Sequence, residues 1–141
     1  MKTLKIIFLM GLSFFLFSFE PIENEEIQTE NRIEVIDFHS THRCETCLAI
    51  ESNTKYTINT FYAKEKEAGI LRFDLINIDD EKNERIVEAF EAYGTSLFLN
   101  VIIDGKETHI DLTEFAFMNA NDKDAFTSQL SEKIKIELSK L

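Results

Sequence analysis

Cys44 and Cys47, the two cysteines of this chain, stand three residues apart as Cys44-Glu45-Thr46-Cys47. They come directly after an apolar run, Ile33 to Phe38, and a short polar loop, His39 to Arg43. Cysteines so spaced can close a small disulfide when the backbone turns helical between them. At a helix N-terminus the first thiol is also acidified by the helix dipole and by amide donors that have no helical partner. A bridge over so short a loop removes little chain entropy, which points to sulfur chemistry rather than to a structural staple.

The rest of the chain supplies the frame. Ile33 to Phe38 is β-branched and apolar, the pattern of a buried strand. A long helix is expected from Cys44 to about Glu67, with Ile50, Thr54, Thr57, Ile58 and Phe61 on one face and Gly69 as its stop. Leu71 to Ile78 alternates toward a second strand. Asp79 or Asp80 is placed to cap a second helix whose apolar face is Ile86, Val87, Phe90 and Tyr93, with Gly94 ending it. Leu97 to Ile103 is nearly all apolar, as an interior strand should be. Asp104-Gly105 then signals a hairpin into Lys106 to Leu112. After a loop, Asn121 or Asp122 caps a final helix carrying Phe126, Leu130, Ile134 and Leu138. Phe115 and Phe117 in that loop are expected to fold back onto this helix. The order is βαβαββα, an α/β fold with a mixed sheet and helices on both faces.

In this frame Cys44 caps the first helix and is the attacking thiol, while Cys47 lies a turn deeper and resolves the mixed disulfide. Arg43 places a positive charge beside Cys44, His42 adds one at mildly acidic pH, and Glu45 opposes both by like-charge repulsion. Asp37, at the end of the strand, either turns inward as a proton acceptor for Cys47 or points to solvent. A second chemistry stays open at the same place. His39, His42, Cys44 and Cys47 fall within nine residues, and two thiolates with imidazoles suit a soft metal, just as the dithiol alone suits a metalloid.

The N-terminus carries Lys2 and Lys5, followed by the charge-free run Ile6 to Phe19. This is the pattern of an export signal, too short to span a bilayer comfortably, although Phe17-Ser18-Phe19-Glu20 lacks a small-x-small cleavage site. Residues 1–19 are expected to be a signal peptide or N-terminal anchor, 20–31 an acidic linker and 32–141 the folded domain. The protein is expected to be exported to a bacterial periplasm, or anchored facing it. Any membrane attachment would run only through an uncleaved N-terminal segment. A formal net charge of -11 disfavours nucleic acid and anionic membrane as partners. Only four glycines are present and none builds a phosphate-binding loop, so no flavin, nicotinamide or other cofactor is expected.

The strand-loop-CxxC-helix segment resembles the thioredoxin superfamily across the whole domain. Phe38-His39-Ser40-Thr41-His42-Arg43-Cys44-Glu45-Thr46-Cys47-Leu48-Ala49-Ile50-Glu51, with Asn77-Ile78-Asp79, is more narrowly similar to a small bacterial group, the nitrophenyl compound nitroreductase subunit ArsF family. The resemblance implies a thioredoxin-like fold, with Cys44 attacking and Cys47 resolving. Asp37 matches the buried acid if one extra loop residue is allowed. The chain departs from thioredoxins where a cis-proline faces the disulfide. Here the sequence is Gly94-Thr95-Ser96-Leu97, and a trans bond is expected before Ser96. Thr95 and Ser96 therefore form the loop against which a narrower set of substrates would bind. The tryptophan and Gly-Pro of the thioredoxin motif are missing too. The expected function is oxidoreductase-like thiol-disulfide exchange with a protein dithiol or disulfide. The alternatives are soft-metal or metalloid delivery by the same sulfurs, and a non-catalytic binding module.

Overall fold

The computed structural model describes residues 30–141, so the expectations for 1–19 and for most of 20–31 lie outside the described residues. Four strands, β1 (Arg32–His39), β2 (Leu71–Asn77), β3 (Ser96–Ile103) and β4 (Lys106–Asp111), form one sheet in the order β2-β1-β3-β4. β1 and β2 run parallel, whereas β3 is antiparallel to both β1 and β4. Helices α1 (Glu45–Phe61), α2 (Ala63–Glu67), α3 (Glu84–Phe90), α4 (Thr113–Asn119) and α5 (Lys123–Leu138) complete the chain. This is the expected mixed α/β, thioredoxin-like architecture, with short helices inserted into it.

Side-chain alternation in β1 and β3 divides the apolar residues between the two faces of the sheet. Ile33, Val35, Leu97, Leu99 and Val101 meet Ile50 and Ile58 of α1 and Phe126, Leu130 and Ile134 of α5 in the larger core. Ile36, Phe38 and Phe98 meet Val87 and Phe90 of α3 in the smaller one. Among these, β3 is buried along nearly its whole length, because it lies inside the sheet with helices over both sides. The Asp104-Gly105 turn has φ of 51° and 75°, the pair of left-handed residues that a two-residue hairpin loop requires.

Three expectations need correction. The long first helix breaks at Tyr62, which leaves helical geometry (φ -128°, ψ 27°) and donates its hydroxyl to the Ser131 carbonyl at 2.6 Å. Beyond it, α2 buries no residue, so only its charged, helix-favouring residues suggested continuity. Asp80 caps a single 3-10 turn, Glu81–Asn83, and α3 then ends at Phe90 through a left-handed Glu91 rather than at Gly94. Tyr93 is consequently off the helix and 75% exposed. The segment expected as a loop after β4 holds α4, whose Phe115 packs on Phe126 at 5.1 Å while Phe117 stays partly exposed.

Candidate functional site

The site forms where β1 gives way to α1. The intervening loop is tied to the exit of β2 by three hydrogen bonds: Ile78 N–H to the His39 carbonyl at 2.8 Å, Thr41 N–H to Asp79 Oδ2 at 2.6 Å, and Asn77 Nδ2 to Thr41 Oγ1 at 3.2 Å. The Thr41 amide also holds the Asp79 carboxyl below the usual carboxylate range.

Cys44 is the N-cap of α1, with extended geometry (φ -82°, ψ 166°). The Cys47 N–H donates to its Sγ at 3.2 Å, as an amide of a helix's first turn does to a capping side chain. The two sulfurs are joined in a disulfide, their Cα atoms 5.2 Å apart. Cys44 is exposed and Cys47 only 7% so, which makes the pair chemically unequal. Thr95 Oγ1 donates to Cys47 Sγ at 3.4 Å, putting the loop before β3 against the deeper sulfur. Ser96, its peptide bond trans, is buried and turns its hydroxyl to the Gly94 carbonyl at 2.8 Å.

Asp37 is fully buried and points inward, to the α1 side of the sheet. It pairs with Leu75 of β2 and Leu97 of β3. Neither of its carboxylate oxygens has a hydrogen-bond partner. Burial pushes its pKa up to about 7, against the pull of Arg43, with Glu51 adding to the rise and Lys55 opposing it.

Arg43, whose charge is expected to act on Cys44, makes its hydrogen bonds to residues of α1. Its Nη1 pairs with Glu51, its Nη2 donates to the Cys47 carbonyl at 3.3 Å, and its buried Nε has no partner. Lys55 holds the other oxygen of Glu51. Burial works against ionisation of Glu51, but the hydrogen bonds from Lys55 and Arg43 outweigh it and keep its pKa low. Sequence reasoning assigned Glu51 and Lys55 no role. Their visible signals were an oppositely charged i,i+4 pair on the helix that starts at the cysteines and, for Glu51, its place in the run that carries the resemblance.

His39 turns Nδ1 to the Ser40 carbonyl at 2.9 Å, and His42 is exposed. Among the described residues, no three His, Cys, Asp or Glu side chains are grouped so as to share a metal ion. Also among them, no helix is long and apolar enough to cross a membrane.

No family model and no curated protein match this sequence. Among solved structures, the chain is similar to a thioredoxin of Fasciola hepatica, at 21% identity and a TM-score of 0.44 over 75% of this chain and 81% of that one. It is also similar to a structure described as a malarial protein, at 14% identity and a TM-score of 0.40 over 63% and 96% of the two chains. The thioredoxin-like assignment rests on the sheet itself: the order β2-β1-β3-β4, with a CxxC pair at disulfide distance opening the helix after β1. An arrangement of this kind supports thiol-disulfide chemistry.

Proposed function

We propose that this is an exported thiol-disulfide exchange protein acting on one or a few protein partners. The observation that carries the reading is the inequality of the two sulfurs. One is exposed at a helix N-terminus with an amide directed at it, and the other is buried one turn below. In reduction of a partner, the Cys44 thiolate attacks one partner sulfur, forming a mixed disulfide and expelling the other partner sulfur, which takes a proton from solvent. The Cys47 thiol then passes its proton to the Asp37 carboxylate and attacks Cys44 Sγ. The second partner sulfur leaves and is protonated in turn, so the partner gains two electrons and two protons and Cys44–Cys47 becomes a disulfide. Oxidation of a partner is the same sequence reversed.

Membership of the ArsF group is part of this reading. It draws support from the residues of the similar run, because Arg43, Cys47 and Glu51 are joined by hydrogen bonds, as are Thr41, Asn77 and Asp79. Export draws on Lys2, Lys5 and the apolar run Ile6 to Phe19. The experiment is partner trapping with Cys47→Ser in cells of the source bacterium. Mixed disulfides that form through Cys44 and disappear in Cys44→Ser/Cys47→Ser support exchange, and their absence counts against it. Fractionation of the same cells tests export.

A further inference from the structure

Resting on the exchange reading, the geometry points to a second role inside this site: Arg43 and Glu51 are positioning residues, an opposed charge couple that sets the balance between the disulfide and dithiol forms through the buried carboxyl of Asp37.

Two kinds of unpaired group are buried at this site in the disulfide form. Asp37 keeps both acceptor oxygens without a donor, and Arg43 keeps its Nε–H without an acceptor. Buried polar groups are rarely left so, and each such group needs an explanation. Here they are of opposite character, and Arg43 exerts the strongest charge effect on Asp37. The guanidinium is otherwise engaged, by Glu51 through Nη1 and by the Cys47 carbonyl through Nη2. It thus touches the backbone of the resolving cysteine while acting on the acid proposed to take that cysteine's proton. Glu51 competes for the same cation and is itself shared with Lys55. The charges that act on Asp37 are therefore Arg43 from the loop and Glu51 and Lys55 from α1, while its strand partners Leu75 and Leu97 are apolar.

The sign follows from charge. Two glutathione thiols reduce Cys44–Cys47 to the dithiol and become one glutathione disulfide, with electrons and protons balanced. The dithiol form alone can carry a thiolate, and it is the form in which Asp37 must ionise to work as a base. Arg43 favours that extra negative charge and Glu51 opposes it. Removing Arg43 thus favours the disulfide, whereas removing the charge of Glu51 favours the dithiol.

The test is the exchange equilibrium of the purified full-length protein with glutathione at pH 7. Arg43→Gln should lower the dithiol fraction's equilibrium constant and Glu51→Gln raise it, each three- to tenfold, or ~15 to 30 mV in opposite directions. The double variant should return toward wild type. Carbon-13 NMR of the Asp37 carboxyl should show its titration moving to higher pH in Arg43→Gln and to lower pH in Glu51→Gln. A loss of structure would not produce this split. If Arg43→Gln fails to fold, Lys55→Gln, at a residue whose side chain is 45% exposed, should give a smaller shift in the Arg43→Gln direction. Potentials that move the same way or not at all, in a protein whose wild type exchanges normally, overturn the inference and leave the exchange reading standing. A wild-type disulfide that never equilibrates with glutathione overturns the exchange reading and the inference with it.

Discussion

The backbone amide of Thr41 donates to the carboxylate of Asp79 across 2.6 Å, bridging the loop before the cysteines to the residues after β2. With Asn77 also holding Thr41, the end of the parallel β1–β2 pair fixes where the chain enters α1.

Asp79→Ala should loosen this entry without unfolding the domain. Hydrogen exchange at the Thr41 amide is expected to speed up at least tenfold, with the core strands unchanged. In the wild type the tether depends on ionised Asp79, whose pKa is depressed in the fold. Its contribution is present above the ordinary carboxylate range and is lost as pH falls through the lowered value. Thr41 protection measured against pH should therefore drop only in strong acid.

Asp37→Asn should separate stability from activity. A carboxyl raised from 3.8 to about 7 contributes stability fully at a pH below 3.8, and this is lost as pH rises to about 7. The variant escapes that loss, so its stability relative to wild type should rise between those limits by up to about 4 kcal/mol and then level off. Denaturant melts of the disulfide form from pH 3 to pH 8 check this. Resolution of the mixed disulfide should slow by roughly 10²-fold at pH 7, the scale of a lost general base.

Tyr62→Phe removes the hydroxyl that binds the Ser131 carbonyl and joins the end of α1 to α5. A loss of about 1–2 kcal/mol in unfolding free energy is expected from the partly buried acceptor left behind.

Phe126→Ala empties a fully buried position against Phe115. The expected cost is about 3–5 kcal/mol by denaturant melt.

Much of the fold was legible because its signals are local. The apolar runs at Ile33 and Leu97, the Asp-Gly turn and the Asp122 cap each act within a few residues. The break at Tyr62 was not, since a hydrogen bond to a residue 69 positions away holds it. The same applies to α4, which is short and buries only Ala116, too little for an apolar stripe to be visible. At the site, the cysteines could be read directly, but the direction of Arg43 could not. Its long, flexible side chain pairs with Glu51, eight residues further on, a choice that no local pattern encodes.

A disulfide with one sulfur at the surface and the other shielded makes any encounter one-sided. Under the proposed exchange, a visiting protein would be engaged by Cys44 alone, while Cys47, only 7% exposed, would stay free to cut the visitor loose. Covalent complexes formed that way would be brief, and losing the inner sulfur would turn a passing exchange into lasting capture.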